Sequence, residues 1–214
     1  MTEKDTKLND PELIGGWLCL DFVNTVSWRG SDHSQEWLQS YSKLVSWSQH
    51  ADILTGNEAH KLFGEAKLCP REASAVLKRA ITLREAVHSI FSAIVDHVSP
   101  NGADLDTLNA ELHEAMTRTQ IAPTTDGYAL TYAVNYRALD NMLWSIARSA
   151  ADLLTSGRLN RIRKCAAKDC GWLFLDMSKN HSRRWCDMKD CGNRTKARRH
   201  YERKRAAFPK RART

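Results

Sequence analysis

Four cysteines, Cys165, Cys170, Cys186 and Cys191, follow the pattern C-x4-C-x15-C-x4-C within a stretch crowded with arginine and lysine. A tetrahedral Zn²⁺ takes thiolates at about 2.3 Å, so its ligands must converge from two chain segments. A close pair at each end of a loop achieves this. Two intervening residues are commoner within such pairs, but four stays inside the range of zinc knuckles. The alternatives are two disulfides or unrelated buried thiols. Disulfides call for an oxidising compartment, and the N-terminal MTEKDTKLNDPELIGG lacks a basic-then-apolar leader. No run of about 18 apolar residues occurs, so a cytoplasmic protein with no membrane partner is expected. Four thiolates close the coordination shell, which makes the expected zinc, one per chain, structural rather than catalytic.

Charge divides the chain. Residues 158–214 hold 19 basic and 5 acidic residues, net +14, whereas residues 1–157 hold 13 basic and 20 acidic, net −7. Such an asymmetry points to a basic polyanion-binding part joined to an acidic part with another task. Trp172, Phe174, Trp185 and Tyr201 interleave the basic stretch, unlike a purely solvated tail.

The coarse pattern is mainly α. GWLCLDFVNTVSW, from Trp17 to Trp28, is apolar without a clean period and reads as a buried helix or a strand. Residues 35–49 carry apolar positions mostly at helical spacing. Thr55 and Glu58 form a capping box for a helix to about Lys67. Pro70 opens the longest helix, to about Val98, and another spans about 104–117. Residues 121–134, with Asp126-Gly127 between short alternating runs, predict a β-hairpin. A helix from about Ala138 to Leu154 is closed by Ser156-Gly157, and the domain boundary is placed there: 1–157 helical, 158–214 the zinc module.

Within the module, residues 161–164 read as a basic lead-in to Cys165, residues 172–175 as a strand and residues 183–186 as its return strand. Cys191 opens a basic helix to about Ala207, stopped by Pro209. Knuckle, hairpin and helix make a treble-clef-like layout. Residues 163–199 resemble the CGNR zinc fingers, whose name is spelled by Cys191-Gly192-Asn193-Arg194. The shared positions include Cys165, Cys170-Gly171-Trp172-Leu173-Phe174, Asp176, Arg183-Arg184-Trp185-Cys186, Met188 and Lys196-Ala197-Arg198-Arg199. The segment from Gly16 to Thr25 resembles the opening motif of the ABATE domain that usually precedes this finger. The resemblance implies a stress-induced bacterial transcription regulator, zinc on the four cysteines and a nucleic-acid role for the finger.

The candidate nucleic-acid contacts are Arg183, Arg184, Asn193, Arg194, Lys196, Arg198, Arg199 and Arg203, with double-stranded DNA as the expected partner and RNA the alternative. Asn193 also suits a turn or cap, and Arg194 suits stacking on Trp172 or Trp185 or a carbonyl hydrogen bond. His181 and His200 read as surface or polyanion contacts, since four cysteines already satisfy the metal. Asp21, Asn24 and Thr25 are polar residues in an apolar segment. They tie elements together or line a pocket for a small-molecule effector. A homodimer is compatible with this reading. An enzyme would pair Asp21 with a histidine such as His88, but the sequence carries no phosphate loop, nucleophile elbow or HExxH, and no catalytic residue is expected.

Overall fold

The computed structural model describes residues 11–133 and 138–207. The expected end of the first hairpin at Val134 and the helix stop at Pro209 lie outside them. Among the described residues the protein is mainly helical, with three two-stranded antiparallel ladders.

The ambiguous Trp17–Trp28 segment resolves into both readings. It is a short helix α1 (Leu18–Val23) followed by a two-residue strand β1 (Val26–Ser27) that pairs with β2 (Gln35–Glu36). This corrects the helical reading of residues 35–40: α2 (Tyr41–His50) begins only after Ser40, whose hydroxyl accepts from Lys43 N. The capping box forms as expected at the start of α3 (Gly56–Leu68), with Thr55 and Glu58 satisfying each other's backbone amides.

Pro70 occupies the first turn of α4 (Pro70–Val95), where its missing N–H costs nothing. Val76, Ala80, Leu83, Val87 and Ile90 recur every three or four residues and bury one side of α4. The other helices pack around that stripe. They are α5 (Gly102–Thr117), capped by Asn101, and α6 (Asn141–Thr155), closed by Ser156 and by Gly157 at φ +70°. Each fully buried Leu, Ile or Phe contributes about 1.5–3 kcal/mol, so this cluster is the main source of stability. Between α5 and α6 lies the expected hairpin, β3 (Thr119–Thr124) and β4 (Gly127–Tyr132), turned at Thr125-Asp126.

A polar network crosses this body. Arg84 of α4, 2% exposed, donates to both oxygens of Glu36 at 2.6 Å and to Glu85 at 2.9 Å, and Glu85 also holds Arg29 at 2.6 Å. Burial works against ionised Glu36 and Glu85, but the guanidinium partners hold both below the usual carboxylate range. The network fixes the loop after β1, and that loop meets the zinc module.

The module begins with β5 (Ile162–Lys164), which pairs with β6 (Leu173–Leu175) in the register Ile162↔Leu175 and Lys164↔Leu173. The expected partner of β6, residues 183–186, is not a strand. Its groups are spent elsewhere, the Arg183 amide on Asp176 and the Arg184 carbonyl on Ala166 N. A five-residue π-turn (Met188–Gly192) leads into α7 (Asn193–Ala207). Ile162, Leu173 and Leu175 belong to the same apolar core as α1, α4 and α6, so the zinc module and the helical body are packed into one another.

Candidate metal centre and nucleic-acid interface

The β5–β6 ladder encloses the first knuckle. Cys165 N donates to Trp172 O at 2.8 Å, and Cys170 N donates to Ala167 O at 3.1 Å, turning the loop. Gly171 has φ +74°, and a Cβ there would lie 2.8 Å from Arg29 Cβ, so conformation and close approach both require glycine. The second knuckle is brought alongside by Ala166 N, which donates to Arg184 O at 2.8 Å. It is shaped by Asp187, whose carboxylate accepts from Lys189 N and Asp190 N.

The four cysteine sulfurs lie within 4.8 Å of one another and all four side chains are buried. Neighbouring sulfurs are 3.6 Å apart for Cys170–Cys186 and 3.5 Å for Cys186–Cys191, and none is disulfide-bonded. Four thiolates about 2.3 Å from one ion stand roughly 3.8 Å apart, so the tetrad fits one structural zinc with no room for a fifth ligand. Cysteine ligates a metal as the thiolate, and a divalent ion at the centre of the tetrad would favour that form at all four positions. Two N–H groups face the sulfurs from outside: Cys186 N is 3.4 Å from Cys165 Sγ, and Arg194 Nη2 is 3.2 Å from Cys191 Sγ. Such outer contacts orient ligands and spread their charge.

Each letter of Cys191-Gly192-Asn193-Arg194 now has a physical role. Cys191 is a ligand, and its carbonyl accepts from Thr195 Oγ1 at 2.7 Å. Gly192 leaves space for Met188 Sδ, 2.5 Å from where a Cβ would stand. Asn193 Nδ2 donates to Lys189 O at 3.0 Å and ties the helix start to the turn. Arg194 contacts Cys191 and Asp190 and lies over the ring of Trp28, 4.0 Å from its centre. The stacking partner is therefore Trp28 of the helical body, rather than Trp172 or Trp185.

The body holds the module through the motif around α1. Asn24, fully buried, behaves as an extra strand residue: its Nδ2 donates to Leu173 O at 2.9 Å and its Oδ1 accepts from Leu173 N at 3.0 Å. Leu175 N donates to Gly15 O at 2.8 Å, Trp172 Nε1 to Val26 O at 2.8 Å, and Arg29 N to Cys170 O at 3.3 Å. His88 Nε2 donates to Gly171 O at 3.1 Å. Burial, with the charge of Arg29 beside it, pushes His88 down to about 4, so the ring is neutral and serves as a fixed donor.

Thr25 is engaged by Phe22 O and Arg84, and Asp21 accepts from Gly15 N at 2.7 Å. Burial pushes Asp21 up to about 6, opposed by Gly15 N and His50. Asp21, Asn24 and Thr25 are thus engaged in joining elements, and Asp21 and His88 face different backbone groups.

Arg183 points inward. Its guanidinium donates to Trp185 O, Ile14 O and Cys186 O and lies 4.4 Å from the centre of Phe174. Arg184 is exposed beside Trp185. On α7, Lys196, Arg198, Arg199, Arg203, Lys204 and Arg205 are all exposed. Arg198 lies 3.7 Å from Asp169 and 3.8 Å from Glu202. His181, at φ +48° in the loop before Arg183, and His200 on α7 are also exposed.

The family comparison agrees with this geometry. Residues 16–157 match ABATE, described as "Putative stress-induced transcription regulator". The chain belongs to the ABATE family. Residues 161–204 match the CGNR zinc finger, so the four cysteines are the zinc ligands of that finger. No curated protein matches the chain. In this member Asn24 of the ABATE opening motif is in direct contact with the finger, as are Gly15 and Val26 on either side of the motif. No helix among the described residues is long and apolar enough to cross a membrane.

Proposed function

We propose that this chain is a zinc-dependent transcription regulator that binds double-stranded DNA through α7. The observation that carries the reading is the exposure of α7. Every residue from 196 to 205 faces solvent, and the helix holds seven basic residues against one acidic residue, Glu202. A helix that is polar all round has no reason within its own chain to be held at a fixed angle. Here the zinc ligand Cys191 and the Thr195–Cys191 bond fix its start, and the rest of the helix carries exposed positive charge.

Phosphates are the natural partner of such a helix, and releasing their counterions drives binding. Within this reading Lys196, Arg198, Arg199, Arg203 and Arg184 contact the backbone. Asn193, Arg194 and Arg183 act indirectly, by fixing the helix start and the second knuckle.

The test is fluorescence anisotropy of the zinc-loaded protein on duplex DNA and on single-stranded RNA at several salt concentrations. Replacing Arg198 and Arg199 by Ala is expected to weaken DNA binding to all sequences and flatten the salt slope by up to about two units. An unchanged affinity, or a preference for RNA, would overturn the assignment.

A further inference from the structure

A cleft of about 310 Å³ opens where the zinc centre meets the segment before α1 and the β1–β2 ladder. That volume lies at the lower end for small-molecule sites. We propose that this cleft binds a small organic cation carrying a planar group, such as an amidinium, a guanidinium or an aryl-ammonium ion.

Three indoles line it: Trp28, Trp37 and Trp172. The N–H of Trp37 is held by Ser27 Oγ at 2.9 Å and that of Trp172 by Val26 O, so these two offer a guest ring surface rather than hydrogen bonds. Trp28 has φ +61°, a conformation a bulky aromatic rarely adopts, held by two contacts from Ser31 to its carbonyl. Backbone strain of this kind is tolerated where a side chain must be presented in one direction.

The electrostatics select the sign of the guest. Cys170, Cys186 and Cys191 lie on one side of the cleft, and a divalent ion with four thiolates leaves roughly two negative charges on that centre. Glu12 and Asp187 add carboxylates around it, and Asp190 adds one that is paired with Arg194. Aromatic surface next to net negative charge is the chemistry that captures organic cations.

The chain already displays that recognition. Arg194, which also lines the cleft, lays a planar cation over Trp28 and directs an N–H at Cys191 Sγ. An added cation shares the same surface and competes with it. This inference stands apart from the DNA reading, since neither the cleft nor its test involves nucleic acid.

The test is isothermal titration calorimetry of the zinc-loaded full chain with benzamidinium, and with benzamide and benzoate as neutral and anionic counterparts of nearly the same shape. Benzamidinium is expected to bind once per chain with a Kd of about 0.1–1 mM, at least roughly tenfold more tightly than the other two. Glu12→Gln, at an exposed side chain, should weaken it several-fold. Arg194→Ala should tighten it several-fold by removing the internal competitor. Zinc content and far-UV circular dichroism establish that each variant is folded; if Arg194→Ala loses zinc, the wild type and Glu12→Gln decide the outcome. Equal binding of the three probes, no saturable binding of benzamidinium, or unchanged affinity in every folded variant would each overturn the proposal.

Discussion

The helical body and the zinc module are held together by different physics. The body buries a continuous stripe of α4 among its neighbouring helices, and its integrity is spread over some thirty side chains. The module has a second, small cluster made of its four cysteines, Ala167 and Phe174, with little else to bury. Its other fully buried apolar residues, Ile162, Leu173 and Leu175, face the body's core rather than its own. A distributed core loses a little with each change, whereas a centre built on one ion fails at once.

The largest break in this contrast comes from the metal. Chelation, or Cys186→Ser, is expected to remove a binding term of roughly 10 kcal/mol and to unfold residues 165–207. Because β6 shares the body's core, the melting temperature of the helical part should fall as well. Calorimetry with parallel zinc analysis checks both, and full zinc content in Cys186→Ser would contradict the ligand set.

Next in size is the joint between the two regions. Asn24→Ala deletes both bonds to Leu173 and leaves a buried N–H and C=O without partners, at a cost of about 2–4 kcal/mol. Zinc should remain bound, while hydrogen exchange of the Leu173 amide should accelerate.

Asp21 gives a comparable effect with a defined pH window. Its ordinary value is 3.8 and the folded value is about 6. The folded state therefore holds the proton more tightly. The contribution of Asp21 to stability is greatest below about pH 4 and falls by roughly 3 kcal/mol as pH rises through 6. Asp21→Asn keeps an oxygen for Gly15 N and removes the penalty, so the variant should be more stable than wild type at pH 7 and about equal to it at pH 4. His88 acts in the opposite sense: its lowered value makes stability fall as pH drops from 6.5 towards 4. The difference between the Asp21→Asn and wild-type curves isolates Asp21, and parallel curves would contradict the assignment.

The smallest effect separates two adjacent arginines. Arg183→Ala frees three carbonyls and should cost about 1–3 kcal/mol. Arg184→Ala, at an exposed position, should stay within about 0.5 kcal/mol while still weakening polyanion binding. Denaturant titration of the pair tests whether the module's basic residues divide into inward supports and outward contacts.

Local chemistry makes much of this structure legible in the sequence. The cysteine spacing, the Thr55–Glu58 box and Pro70 each act within a few residues and lie where their chemistry requires, and the Asp126-Gly127 signal marks the hairpin although the turn itself is Thr125-Asp126. The misreadings share a cause, which is a partner outside the few neighbouring residues that set a local pattern. Residues 183–186 carry strand-like side chains, but their backbone groups are claimed by Asp176 and Ala166. Residues 161–164 have the composition of a basic lead-in, although Ile162–Lys164 supply the strand that β6 needs. Gln35–Glu36 fit the helical pattern that follows them, and only Ser40 marks its true start. Asn24 is recognisable as a buried polar group in need of a partner, but nothing nearby identifies Leu173. Arg194 stacks on Trp28, a residue from the opposite end of the sequence, and the local pattern offers only Trp172 and Trp185.

The side-chain bridge from Asn24 to Leu173 bears on modularity. In sequence the finger is a tidy cassette, with its own motif and its own charge. In the folded protein the outer edge of β6 is covered by an asparagine and a glycine carbonyl from the opposite end of the chain. A finger excised at residue 160 and grafted onto another carrier would expose that edge together with Leu173 and Leu175, a combination that favours self-association. Transplanting it intact would require carrying along the segment from Gly15 to Arg29, so the smallest transferable unit of this protein includes the joint between its two parts.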